Sequence, residues 1–96
     1  MSEPTPAELE KLREEITAID ERLLEMVRRR IEIAHIIGAV KEREGLPTLD
    51  PRREARVVRR ASEIARELDL PAEEVRQIFW AIVGMTRRVQ QEKRGS

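Results

Sequence analysis

Residues 9–40 read LEKLREEITAIDERLLEMVRRRIEIAHIIGAV, and within them Leu9, Leu12, Ile16, Ile19, Leu23, Met26, Ile33, Ile37 and Val40 recur largely at alternating steps of three and four. That spacing places them on one face of a long helix. One beat of the stripe, Arg30, is charged. An arginine on a buried face is costly unless something anionic meets it, so the anion bears on function.

Thr5, Pro6 and Glu8 supply an N-cap, a first-turn proline and a capping-box acid. They predict a first helix starting there and running to Arg43 or Glu44, where Gly45 stops it. After a short loop, Asp50 and Pro51 repeat the cap-plus-proline signal and open a second helix with Val57, Val58, Ala61, Ile64, Ala65 and Leu68 on one face. Asp69, Leu70 and Pro71 make the next corner. A third helix follows with Val75, Ile78, Phe79, Ile82, Val83 and Val89 inward, and the polar stretch from Gln91 to Ser96 reads as a frayed end. With no strand pattern or repeat, the expected fold is all-α, three helices in a single domain covering residues 1–96.

Length adds a constraint. About forty helical residues span roughly 60 Å, whereas a compact chain of 96 residues has a radius of gyration of roughly 12–13 Å. The part of the stripe that overhangs helices two and three needs cover from another chain, most simply a symmetric copy. The expectation is an intertwined homodimer whose folding and association are coupled.

Composition narrows the function classes. Lysine and arginine total 19, as do aspartate and glutamate, so nothing favours nucleic acid or an anionic membrane as partner. There is no cysteine and His35 is the one histidine, which leaves no disulfide framework or zinc centre to build; metal dependence is not expected. No apolar run approaches the roughly 18 residues of a membrane span, and residues 1–7 lack a basic segment followed by an apolar one. A soluble cytoplasmic protein is expected.

Polar groups interrupt or extend the inward faces of all three helices. Lys41 follows Ile37 by one turn, Arg53 and Glu54 precede Val57 and Val58, and Thr86 and Gln90 continue the row of Phe79 and Val83. With Arg30, these six could line one polar pocket suited to a small dianion that also carries a hydroxyl. Each has an ordinary reading too. Arg30 and Lys41 could snorkel from the stripe's edge, Arg53 and Glu54 could be first-turn charges on a solvated face, Thr86 could bond back to its own helix, and Gln90 could sit in a frayed end. The joint pattern favours the pocket. His35 falls off the stripe and reads as a surface residue, Asp50 is explained by capping, and Gly38 and Gly84 hint at close helix or ligand approach.

The chain resembles the all-helical class of chorismate mutases, small three-helix enzymes that form intertwined homodimers. The resemblance lies in Leu12-Arg13-Glu14-Glu15-Ile16 with Ile19-Asp20, in Arg29-Arg30 through Gly38 to Lys41, in Asp50-Pro51-Arg52-Arg53-Glu54, and in Thr86 with Gln90-Gln91. It implies a Claisen rearrangement of chorismate to prephenate in phenylalanine and tyrosine biosynthesis, with no nucleophile, metal or cofactor. The substrate's carboxylates would be bound by Arg30 and by Arg13 of the partner subunit. Arg13 and Arg30 lie about 25 Å apart along a helix, too far to clasp one small molecule from a single chain. By the same resemblance, Lys41 and Gln90 would bond the ether oxygen, Glu54 and the Asp50 region would hold the ring hydroxyl, and Arg53 and Thr86 would complete the carboxylate contacts. Thr86 stands where a serine is often found, and Arg87 where an aliphatic pocket-wall residue can occur. Whether a larger partner enzyme activates the domain is left open.

Two rivals stay in view. An isochorismate pyruvate lyase shares fold and cationic clamp, but its relatives tend to lack the acidic pair of Asp50 and Glu54. A non-catalytic dimerisation module would use Arg30 and Lys41 in salt bridges with acids such as Glu25 or Glu32.

Overall fold

A computed structural model describes residues 3–95, with side chains through Glu92. Three helices follow in chain order, α1 Pro6–Arg43, α2 Pro51–Glu67 and α3 Ala72–Gly95, and there is no strand among the described residues. The expected all-α architecture and its helix starts are borne out.

The caps explain the boundaries. At the start of α1 the Glu8 amide donates to Thr5 Oγ1 at 3.1 Å and the Thr5 amide donates to Glu8 Oε2 at 2.8 Å, a reciprocal capping box. The helix ends in a Schellman turn. Gly45 takes a φ of +67°, its amide donates to Glu42 O at 3.2 Å, and the Leu46 amide reaches Lys41 O at 2.8 Å. Helix α2 begins at Asp50, whose Oδ1 accepts the Arg53 amide at 3.1 Å, with Pro51 in the first turn. It ends in a second Schellman turn. There Asp69 takes the left-handed position at φ 56°, and the Leu70 amide donates to Ala65 O at 2.8 Å.

The chain divides into two units, residues 1–30 and 31–96. In the first, α1 runs from Pro6 to Arg30, and its stripe is open in the single chain: Leu12 is 49%, Ile16 59% and Met26 66% exposed. In the second unit α2 packs on α3, and the buried residues are Ala34, Gly38, Val58, Ala61, Ser62, Ala65, Val83 and Gln90. Ser62 keeps its hydroxyl satisfied by donating to Val58 O at 3.3 Å.

Three details of the sequence reading change. The line of α1 buried within the chain is Ala34 and Gly38, one position on from Ile33 and Ile37, which are both 41% exposed. Small side chains permit a closer approach than isoleucines would, so the chain's own packing selects them. Ile64 on α2 and Leu68 at its C-cap are exposed and Ser62 takes an inward place, while Ile78 on α3 is also exposed. Finally, α3 continues to Gly95 where fraying from Gln91 was expected, because Gln91, Glu92, Lys93 and Arg94 are all favourable helix formers. Ser96 lies outside the described residues.

Gly45 has open space around a would-be Cβ, so its requirement is purely conformational. Gly45→Ala is expected to lose about 1–2 kcal/mol through the left-handed backbone alone, read as a lower urea midpoint with unchanged slope.

Candidate active site

Lys41, Asp50, Arg53, Glu54, Thr86 and Gln90 all belong to the second unit; Arg13 and Arg30 belong to the first. Within the second unit, polar pairs form across helices among the described residues, and two of them involve candidate site residues.

The first pair joins the last turn of α1 to α3. Gly38 lies one turn before Lys41 and is buried; a methyl added there would sit 3.5 Å from Gln90 Cα and 3.6 Å from its Cβ and Cγ. This is the close approach that Gly38 hinted at. Gly84 differs, since a Cβ there would meet only the Arg88 guanidinium at 3.6 Å. With the backbones this near, the half-buried Lys41 Nζ donates to Gln90 Oε1 at 3.1 Å and to Thr48 O at 3.0 Å. An ammonium carries three donors, so one N–H remains beyond these two bonds. Gln90 is 7% exposed. With its oxygen taken by Lys41, the planar amide turns its NH₂ donors the other way.

The second pair joins the first turn of α2 to α3. Arg87 Nε donates to Glu54 Oε2 at 3.0 Å and Nη2 donates to Oε1 at 2.6 Å, a two-point contact between guanidinium and carboxylate. Glu54 is the more enclosed partner, its side chain 19% exposed against 37% for Arg87. The hydrogen bonds to Glu54, and then its charge, raise the Arg87 guanidinium above its ordinary value, with desolvation opposing. Like any arginine, Arg87 stays a cation throughout the ordinary pH range.

The remaining residues are placed more simply. Asp50 is exposed, its Oδ1 occupied by the helix cap. Arg53 is exposed on the first turn of α2. The half-buried Thr86 donates its hydroxyl to Ile82 O at 3.0 Å, as the ordinary reading anticipated. In the first unit, Arg13 is exposed and Arg30 half-buried. His35 is exposed, as expected. Among the described residues no cluster of three or more His, Asp or Glu side chains could hold a metal ion, and no helix is long and apolar enough to cross a membrane.

Sequence reasoning missed Arg87 as the partner of Glu54 and the Thr48 carbonyl as an anchor for Lys41. Arg87 precedes Gln90 by three on α3, which gives it the same side of the helix. That spacing was a usable signal. A backbone carbonyl leaves no mark in composition or spacing.

The profile of the family described as chorismate mutase type II matches residues 12–91. The chain belongs to this family. The matched span runs from before Arg13 to beyond Gln90, so it includes every candidate residue of both units. The chain is similar to the T-protein of Enterobacter agglomerans, 34% identical over 73 residues, or 76% of this chain and 20% of that protein. It is also similar to the 4-amino-4-deoxychorismate mutase of Streptomyces venezuelae, 35% identical over 83 residues, 86% of this chain and 81% of the relative. A solved structure of a conserved hypothetical protein from Pyrococcus furiosus superposes with a TM-score of 0.69 at 36% identity, covering 85% of this chain and 93% of that one.

Lys41→Met removes both bonds of the ammonium while keeping the side-chain length. Stability is expected to fall by about 1–2 kcal/mol, with faster amide exchange in residues 44–50, which that ammonium ties to α3.

Proposed function

We propose that the chain is a chorismate mutase, acting as a homodimer on chorismate without metal or cofactor and releasing prephenate. The observation that carries the reading is the Lys41–Gln90 pair: an ammonium with one uncommitted N–H beside an amide whose donors are fixed by the bond to its oxygen. Family membership supports the same reaction.

The rearrangement is unimolecular. The ether C–O bond breaks as a C–C bond forms, and no proton need move. The site's first task is to select the folded conformer in which the enolpyruvyl group lies over the ring, which carboxylate clamps at both ends accomplish. We assign these clamps to Arg30 of one subunit and Arg13 of the partner subunit, with Arg53 completing the contacts and Thr86 joining them once its hydroxyl turns away from Ile82 O. Glu54, near the Asp50 end of α2, would accept the ring hydroxyl. As the C–O bond lengthens, negative charge grows on the ether oxygen. Lys41 and Gln90 are already oriented by each other and by Thr48, so donors aimed there stabilise the transition state more than the ground state. Lys41 contributes more, being charged.

The homodimer rests on the first unit's stripe. Leu9, Leu12, Ile16, Ile19, Leu23 and Met26 are all exposed in the single chain. No large side chain among the described residues is fully buried, so the chain's own core is thin. A second copy laid along the stripe would bury it and deliver the partner's Arg13. Absence of cysteine suits a cytoplasmic location, where disulfides are rare.

Three experiments follow. Purified protein given chorismate is expected to yield prephenate and no salicylate, and Arg30→Ala should lower kcat/KM by at least a hundredfold, about 3 kcal/mol of transition-state binding; salicylate from isochorismate would instead indicate the lyase. Gln90→Glu should confine activity to acid: a carboxylate presents negative charge to the developing oxyanion, and only its protonated form can donate, so activity rises as pH falls. The unsubstituted enzyme should stay flat across neutral pH. Leu23→Glu puts a charge into the stripe and is expected to shift sedimentation from dimer to monomer with parallel loss of turnover; a monomer that kept full activity would remove the partner's Arg13 from the site.

A further inference from the structure

Arg87 is a charged residue of the second unit that holds a proposed substrate-binding group, Glu54, and has no part in the mechanism above. It engages both oxygens of Glu54, through Nε at 3.0 Å and Nη2 at 2.6 Å. It also lies three residues before Gln90 on α3, a spacing that brings side chains to about 5–6 Å at their Cβ atoms. The Glu54–Arg87 pair therefore stands beside the proposed ether donor.

A carboxylate offers about four lone-pair positions. The two-point contact uses one on each oxygen and leaves one on each for a ligand. Geometry thus permits Glu54 to accept a hydrogen bond while paired, but its charge is already balanced. A neutral hydroxyl loses little from that balance. An ammonium at the same ring position would approach a neutralised carboxylate with a second cation behind it, and would gain little attraction while meeting direct repulsion.

We propose that Arg87 is a specificity-determining positioning residue, which holds and neutralises Glu54 so that the site accepts a substrate bearing a ring hydroxyl and discriminates against its analogue bearing a ring ammonium. This rests on the chorismate mutase reading and on Glu54 meeting the ring substituent. Arg87 acts through Glu54 and touches no reacting atom. A bare carboxylate at this place would reverse the preference, favouring the cation.

The test compares kcat/KM for chorismate and for 4-amino-4-deoxychorismate, an allylic amine that is an ammonium near neutral pH. The unsubstituted protein is expected to favour chorismate. Arg87→Leu should shift the ratio of the two kcat/KM values toward the amino substrate by tenfold or more. That shift should shrink when pH is raised until the amine is neutral, a response that mere loss of packing would not produce. Arg87→Lys, which keeps the charge, should hold the ratio near its original value, and Glu54→Gln combined with Arg87→Leu should abolish the shift. If Arg87→Leu does not fold, Arg87→Gln carries the same expectation. Equal loss on both substrates, or an unchanged ratio in a folded variant, overturns the proposal while leaving the mutase reading intact. Absence of turnover of both substrates by the unsubstituted protein overturns the mutase reading, and the proposal falls with it.

Discussion

The contact between Gly38 on α1 and Gln90 on α3 governs the second unit. Its backbone approach, 3.5 Å from a would-be glycine Cβ to Gln90 Cα, brings the end of α1 close enough for Lys41 to reach Gln90 Oε1. The same ammonium reaches back to Thr48 O and ties down the loop before α2. Asp50 can then cap α2, and Glu54 follows on its first turn facing Arg87. A small residue at one position thus links helix packing, loop placement and the orientation of two donors.

Helix α1 carries two lines of residues with different tasks. Ala34, Gly38 and Lys41 serve the chain's own packing, whereas the larger aliphatics of the stripe remain open. Adding a symmetric copy would satisfy the stripe and bring in a second arginine. Under the proposed function, burial of apolar surface and assembly of the anion clamp become one event, so dimer dissociation and loss of activity are thermodynamically linked.

Much of the fold was legible because its signals are local. Thr5 with Glu8, Gly45, and Asp50 with Pro51 each satisfy backbone groups within a few residues of themselves, and each boundary falls where those groups require it. The aliphatic stripe was legible as a helix face, and helix length marked part of it as needing cover from another chain, but the line used within the chain was not legible. Hydrophobicity alone cannot tell cover by the same chain from cover by another, and the chain's own contact used Ala34 and Gly38, which carry little hydrophobic signal. Lys41 and Gln90 stood out because a polar residue on an inward row needs a partner, and here each is the other's. The spacing of Arg87 from Gln90 puts it on the same side of α3, but its partnership with Glu54 depends on the register of α2 against α3. No single-helix pattern encodes that register.

A crystal structure with a bicyclic ether dicarboxylate that mimics the rearrangement's transition state would decide whether the donors are used as argued. Lys41 Nζ and Gln90 Nε2 should both lie within about 3.2 Å of the ether oxygen, with Glu54 accepting the ring hydroxyl and arginines from two subunits on the carboxylates. An ether oxygen remote from both donors, or a ligand held by one chain alone, would mean that the Lys41–Gln90 pair serves packing and that the chemistry lies elsewhere.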